Sequence, residues 1–463
     1  MNSKHIDLIA DRIRAIVGPD FIRTDDEARK TYGMDALERG ALADVVVLPG
    51  TTRDVAEIVR VCSETRTPIV PRGGGTGFTG GAVPVRGGVV LSLERMHRIL
   101  EIDEASLVAV VQPNVITGDL QDAVERVGLF YPPDPSSLRR SAIGGNVAEC
   151  AGGPRAFKYG VTRHYVLGTE AVLPTGEVIR TGGRVVKNVV GYDLTQLLVG
   201  SEGTLAILTE ITLRLIPKPP HAATLRATFP TIRHAVDAAA RIIKARVVPA
   251  SLELIDHDSL EAVAGHVGLR LAPAETGALL LIEVDGLAEQ VAAEADRVES
   301  ACLAAGAGEL LRATTEAERQ DLWRVRREIS PSLLRIASRK INHDIVVPKG
   351  RIAELFDLVA ALKVRFKMPI PAFGHVGDGN IHVNFMVDGA DPEALRRAQE
   401  AEGELFRGVV ALDGVISGEH GIGFTKAKYL NLGLSDDTIA LMKRVKYAFD
   451  PHGILNPGKI FPE

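Results

Sequence analysis

The chain of 463 residues is short of several things, and each shortage closes a class of function. Positive charge is not in excess: 54 Lys and Arg stand against 59 Asp and Glu, net −5, so no basic surplus exists to track phosphates and no nucleic-acid partner is expected. Cysteine occurs only as Cys62, Cys150 and Cys302, an odd and widely spaced set. That suits neither a disulfide framework nor an iron–sulfur cluster, and with no charged-then-apolar leader the expected location is the reducing cytoplasm. No apolar run approaches the roughly 18 residues that span a bilayer, so any membrane association is expected to be peripheral. Fixed-period repeats and low-complexity tracts are missing as well.

Glycine is what the chain has in quantity: 46 residues, without a Gly-X-Y period, in a sequence 46% hydrophobic. Collagen-like and disordered readings are thereby excluded. The length exceeds the roughly 250–300 residues at which a single core stops growing, so at least two domains are expected. Thirty of the glycines fall in the windows 71–88, 141–210 and 374–423. Glycine is placed in this way where backbone turns sharply or approaches a ligand closely.

Residues 1–40 read as one amphipathic helix, with Ile6, Leu8, Ile9, Ile13, Ile16 and Val17 near helical spacing and polar sequence after them. From Asp44 short β-rich runs lie between helices: Val45 to Leu48, Ile69 to Pro71, Val89 to Leu93, Leu107 to Gln112, Glu170 to Leu173, Ala206 to Leu208 and Ile211 to Ile216. Pro217-Lys218-Pro219-Pro220 reads as a linker. Beyond it, helices Ile232 to Ala245 and Leu287 to Ala305 alternate with strands Ser251 to Ile255 and Ala278 to Val284, as in an α+β or α/β domain.

The densest glycine segment runs Pro71-Arg72-Gly73-Gly74-Gly75-Thr76-Gly77-Phe78-Thr79-Gly80-Gly81, directly after a predicted strand. Its N–H groups can converge on an anion such as a pyrophosphate. Gly75, Gly77 and Gly80 satisfy G-x-G-x-x-G, but a Rossmann site needs a helix next, and here a strand follows. A ligand-free Gly-rich hairpin loop is the alternative. A second cluster runs from Pro133, Asp134 and Ser137 through Gly144, Gly145 and Asn146 to Gly152, Gly153, Tyr159, Gly160 and Val161. Its small residues leave bare backbone on which a planar group can lie. Gly200-Ser201-Glu202-Gly203-Thr204-Leu205-Ala206-Ile207 repeats the theme before another strand.

These three motifs, in this order and spacing, resemble the FAD-binding domain of the vanillyl-alcohol oxidase type. The resemblance implies an α+β fold with a two-subdomain FAD-binding domain, a substrate (cap) domain, and a C-terminal segment returning to the flavin. It implies that Pro71 to Gly77 cradle the FAD pyrophosphate and that the later segments, with Gly203, Ile207 and Asn456, line the cofactor. Members with covalent flavin often carry His four residues after the loop arginine, where this chain has Thr76, so noncovalent FAD is implied. The expected division is a helical segment at 1–40, the FAD-binding domain at 41–219 and a substrate and metal domain at 220–463.

Pro371-Ala372-Phe373-Gly374-His375-Val376-Gly377-Asp378-Gly379-Asn380-Ile381-His382-Val383-Asn384-Phe385 reads as a hairpin around a Gly-Asp-Gly-Asn turn. Equal offsets from the turn pair His375 with His382 and Phe373 with Asn384, all on one face, close enough for two imidazoles to share a divalent cation. Ser417-Gly418-Glu419-His420-Gly421 offers a third ligand, and two imidazoles with one carboxylate leave open positions on zinc or a similar metal. A plain cross-strand histidine pair and a polar loop are the alternatives.

These segments, with Trp323-Arg324-Val325-Arg326 and the terminal stretch around Asn456, resemble the C-terminal domain of one branch: the FAD-linked subunit of glycolate oxidase, D-lactate dehydrogenase and D-2-hydroxyglutarate dehydrogenase. The likeness runs from about residue 40 to the end. It implies that His375, His382 and Glu419 bind a divalent metal, zinc first with manganese as an alternative, that His420 is the catalytic base, and that Arg326 and Asn384 bind substrate.

The resemblance implies that a metal on the substrate hydroxyl would lower its pKa, that His420 would take the proton, and that a hydride would leave for the flavin. The 2-hydroxyglutarate enzymes carry a lysine where alignment on Asp344 and Pro348 puts Asn342. Lys340, two residues away, is expected to point elsewhere, which favours a monocarboxylate such as glycolate or D-lactate. Ser330 stands where those enzymes have threonine. The alternatives are D-2-hydroxyglutarate oxidation, a flavin electron-transfer subunit of a larger oxidase, and, from another class, a zinc hydrolase. The electron acceptor is not legible, partner subunits are one route to it, and a homodimer is a further expectation.

Overall fold

Val45-Val46-Val47 is buried at all three positions, as an apolar run on an interior strand flanked by parallel or antiparallel neighbours has to be. In the computed structural model, which describes residues 3–37, 40–268, 272–313 and 315–462, this strand is central to a four-stranded sheet. The order is Ile22–Arg23, Val45–Val47, Val89–Ser92, Ile69–Arg72. The first pair is antiparallel and the other two are parallel. Helices Ser3–Val17 and Thr52–Thr65 bury Ile9, Ile13, Val55, Ile58 and Val59 against one cluster that also takes in Val45, Val89 and Ile69. The second of these helices starts where its sequence says it should, with Thr51 and Asp54 forming a capping box.

A five-stranded antiparallel sheet completes this first unit, in the order Ile99–Asp103, Val108–Val111, Ile207–Arg214, Val166–Val172, Val178–Gly182. The unit is discontinuous: Met1–Gly152, Val161–Lys218 and Glu419–Glu463. Its C-terminal stretch is tied in by backbone, since Ile69 N–H donates to Ile454 O at 2.8 Å and Asn456 N–H to Ile69 O at 2.7 Å.

The second unit, Gly153–Gly160 with Pro219–Gly418, is built on a seven-stranded sheet. The order is Leu310–Arg312, His221–Phe229, Ala278–Gly286, Ser251–Asp256, Ala372–His375, Asn380–Val387, Arg339–Val346, with every neighbouring pair antiparallel. The apolar run from Ala278 is buried through Asp285, as its interior position requires. Short Gly153–Gly160 is held here by Lys158 and Tyr159, which both bond Asp285.

Three expectations need correction. Residues 1–40 are not one helix: Gly18, at φ +86°, and Pro19 end the first helix at Val17, a strand pairs Ile22 with Val47, and a second helix, Asp26–Tyr32, follows its Asp25 cap. The runs at Ala206 and Ile211 are one strand, Ile207–Arg214, interrupted by a register shift between Leu208 and Glu210 that the sequence breaks at polar Thr209 and Glu210. The compact units are also not consecutive blocks of chain, although the change at Lys218/Pro219 falls inside the Pro-rich linker. No helix among the described residues is long and apolar enough to cross a membrane.

Candidate active site

In the first unit Arg72 ends its strand and turns its Nη1 onto Met34 O at 2.5 Å, and burial pushes its guanidinium pKa down. Gly73 and Gly74 then pass against the segment before helix Ile143–Glu149. A Cβ on Gly74 would lie 2.4 Å from Arg140 O, an approach that only glycine permits. Gly75, Thr76 and Gly77 continue the loop. Facing it, Gly144 N–H donates to Pro113 O at 2.7 Å and Asn146 Nδ2 to Thr117 Oγ1 at 2.6 Å. A side chain at Gly145 would meet nothing within 4 Å. Asn114 Oδ1 is buried with no hydrogen-bond partner among the described residues and lies 3.9 Å from the place of a Gly73 Cβ. Bare backbone, open space and an unsatisfied acceptor are what a large polar cofactor fits.

The other expected cofactor residues divide. Pro71 and Gly203 meet directly, a Gly203 Cβ falling 2.8 Å from Pro71 Cγ. Pro133 O and Ser137 O accept from Gln121 Nε2 and Arg140 N–H, fixing the Pro-rich segment on which half-buried Asp134 sits. Asn456 Nδ2 donates to Gly81 O and Glu202 O, so this residue ties the loop to the third motif. Val161 N–H donates to His164 Nδ1. Ile207 departs from expectation, because its side chain is part of the hydrophobic cluster around Val172 and Leu455 and only its backbone could meet a ligand. Gly153, Tyr159 and Gly160 belong with the second unit, where Tyr159 Oη donates to Asp285 Oδ2 at 2.7 Å.

Glu419 and His420 are also in the first unit. Glu419 Oε2 stands 2.7 Å from where a Cβ on Gly152 would be. His420 lies 5.2 Å from the Phe78 ring, and its carbonyl accepts from Thr79 Oγ1 at 3.0 Å. The next turn is clamped by Glu202, whose two carboxylate oxygens accept from Ile422 N–H and Gly423 N–H, each at 2.7 Å.

In the second unit the histidine hairpin has a different register from the one expected. Phe373 pairs with His382 and His375 with Asn380, around a Val376-Gly377-Asp378-Gly379 turn. The slip is by two residues in the pairing, so both histidines keep a common face, and their rings stand 5.4 Å apart at 88°. Their Nδ1 atoms look toward carboxylates: His375 Nδ1 is 2.5 Å from Glu253 Oε1 and His382 Nδ1 is 4.0 Å from Asp344 Oδ1. Asp344 Oδ2 accepts from Gly418 N–H at 2.9 Å, and Gly418 immediately precedes Glu419.

Arg326 is buried, 5% exposed, and bonds Glu253 Oε2 through Nε at 2.7 Å and Nη2 at 2.5 Å while stacking 4.8 Å over Phe373. Burial pushes the Glu253 carboxyl up, but His375 and then Arg326 outweigh it and hold it at about 2. Asn384, fully buried, accepts from Asn342 Nδ2 at 2.8 Å and donates to His382 O. Lys340 lies two residues from Asn342 on the same strand and therefore on the same face, contrary to expectation, with its ammonium on Ser330 Oγ at 2.5 Å. The residue that sequence reasoning missed is Glu253. It sits in an ordinary Ser-Leu-Glu-Leu-Ile strand, and its partners are 73 and 122 positions away.

Comparison with known proteins identifies the family. The family model described as FAD linked oxidases, C-terminal domain, matches residues 218–460, and the FAD binding domain model matches residues 43–182. The chain is 42% identical over 454 residues to glycolate oxidase subunit GlcD of Bacillus subtilis, covering 98% of this chain and 96% of that one. It is 35% identical over 456 residues to a D-lactate dehydrogenase of Anaerostipes hadrus, covering 96% and 95%. The solved structure of p-cresol methylhydroxylase with substrate bound superposes with a TM-score of 0.83 over 99% of this chain and 97% of that one, at 18% identity, which speaks for the fold alone. The chain belongs to the FAD-linked oxidase family, as an oxidoreductase built on that family's FAD-binding domain.

Proposed function

We propose that this protein oxidises a 2-hydroxy acid, glycolate or D-lactate, to the 2-oxo acid, with noncovalent FAD and a divalent metal. The observation that carries the reading is the buried chain Arg326–Glu253–His375, which sets a guanidinium and an imidazole side by side in an oxidase of this family. A forked cation recognises a carboxylate, and a pair of imidazoles suits a cation that polarises a hydroxyl. His375 and His382 supply the two nitrogen ligands. Glu419 supplies the third, as the residue after Gly418, which Asp344 anchors beside the pairing partner of its own strand, His382.

Bound FAD would supply the two-electron acceptor for the hydride of the hydroxyl-bearing carbon. A divalent ion held by His375, His382 and Glu419 would supply Lewis acidity that makes the substrate hydroxyl more acidic. His420 takes the hydroxyl proton as the C=O bond forms, so one proton and one hydride leave together. Arg326 receives the substrate carboxylate, and Asn384 orients it. Thr79 holds the His420 carbonyl, and Glu202 holds the backbone N–H groups of Ile422 and Gly423 just after it. Family membership favours oxidation over a zinc hydrolase. With Lys340 engaged by Ser330, a monocarboxylate remains the favoured substrate over 2-hydroxyglutarate. The relatives named as glycolate oxidase subunits support a partner subunit as the route to the electron acceptor.

The test is a panel of 2-hydroxy acids, each enantiomer separately, read anaerobically as bleaching of the flavin, with and without a chelator. Glycolate or D-lactate is expected to bleach it, and His420→Ala is expected to slow the step by about 10²–10⁴-fold. No bleaching with any 2-hydroxy acid would falsify the proposal.

A further inference from the structure

We infer that Glu253 is a positioning residue for the metal, accepting the Nδ1 proton of His375 so that Nε2 is the atom presented as ligand; this rests on the metal-assisted reading above. Glu253 and His375 face each other as directly paired residues of the strands Ser251–Asp256 and Ala372–His375. The Nδ1 to Oε1 separation is 2.5 Å. An imidazole whose Nδ1–H is taken by a carboxylate has its lone pair on Nε2, the atom a divalent cation takes.

The carboxylate is divided between two tasks. Oε2 takes both Nε and Nη2 of Arg326, and Oε1 takes His375 alone. It has no room to swing, being wholly buried, and Arg326 is itself braced over Phe373. Phe373 is in turn the pairing partner of His382, whose ring stands 5.4 Å from that of His375. A single side chain thus orients one ligand and one substrate-binding cation. If Glu253 served only to neutralise Arg326, nothing would require its second oxygen to face Nδ1.

Glu253→Gln tests this in the full-length flavoprotein. An amide is the same shape but cannot accept from Arg326 and His375 at once. The readout is affinity for Zn²⁺ and for Mn²⁺, by competition with a fluorescent chelator, alongside melting temperature and flavin content. The variant is expected to hold metal about 10–100-fold more weakly while keeping its flavin. Arg326→Gln, which leaves Glu253 on His375, is expected to hold metal close to wild type. Should the single Glu253 variant fail to fold, Glu253→Gln with Arg326→Gln removes the buried charge mismatch and is expected to show the same weakening. Wild-type affinity in the Glu253 variants, or equal weakening in Arg326→Gln, overturns the positioning role alone. A wild-type protein that takes up neither metal overturns it together with the metal-assisted reading.

Discussion

Two groups built around buried carboxyl oxygens, one in each unit, meet opposite fates. In the second unit Glu253 is pulled down to about 2, because His375 and Arg326 both bond it and outweigh its burial. In the first unit burial prevails. Glu149 is pushed well above the usual carboxylate range, Glu202 and Asp35 push it further the same way, and Lys459 and Lys426 oppose only in part. Glu202 is raised too, despite the two N–H groups it accepts from. Lys459 is itself brought down to about 8 by burial. Burial is common to both clusters, so it does not decide the charge; direct contact with cations does. Glu149 Oε2 has no hydrogen-bond partner among the described residues, and Glu149 is the last residue of its helix, the end whose dipole disfavours an anion. An ionised carboxylate can orient a cation and an imidazole. A protonated one can stand beside a second carboxylate and pack a loop.

Removing the guanidinium from the second unit's group is expected to have the largest effect. Arg326→Gln leaves Glu253 buried with the His375 imidazole beside it and its guanidinium partner gone, and a loss of about 3–5 kcal/mol is expected in urea unfolding. A loss below about 1 kcal/mol would mean that the pair is not what keeps Glu253 ionised. The packing role of the other cluster is tested next. Gly421 has φ +79°, and a Cβ there would fall 2.1 Å from Glu149 Oε2. Gly421→Ala is expected to cost about 1–3 kcal/mol, and the cost should shrink, though not vanish, in a Glu149→Gly background, where the clash is gone and the backbone strain stays. Strict additivity of the two changes would show that Glu149 does not press on that loop.

The contrast also marks what sequence could and could not tell. The glycine loops declared themselves, because each lies beside a strand and in a fixed order, and the structure sets Gly73 and Gly74 against Arg140, Ala142 and Gly145. The shared face of His375 and His382 was legible as well, since a slip of two in strand pairing preserves every residue's face. The same arithmetic hides the register: no hydrophobic pattern distinguishes a Val-Gly-Asp-Gly turn from a Gly-Asp-Gly-Asn one. The break of the first helix was written in Gly18-Pro19, yet apolar spacing on both sides masked it. Glu253 and Glu149 carry no local signal at all, because a charge's fate depends on partners brought by other elements. Arg326 shows the cost of that blindness: a proposed substrate role followed from the resemblance, whereas its bond to Glu253 did not.

The smallest effect discriminates best between the clusters. Glu149 and Glu253 share an ordinary pKa of 4.5, and folding moves them in opposite directions. As pH rises above that value the unfolded chain has released the Glu149 proton while the folded chain still holds it, so this residue withdraws stability with increasing pH. Glu149→Gln carries no such proton and no charge beside Glu202. It is expected to match wild type near pH 4 and to exceed it by about 1 kcal/mol near pH 8. Glu253 behaves inversely: its contribution is fully present above 4.5 and is lost as pH falls toward about 2, so Glu253→Gln should be less stable than wild type near pH 8 and approach it in acid. Urea unfolding of both variants at the two pH values reads the difference of slopes directly. Parallel slopes would mean that one rule governs both carboxylates, and that direct contact with Arg326 and His375 is not what separates Glu253 from Glu149.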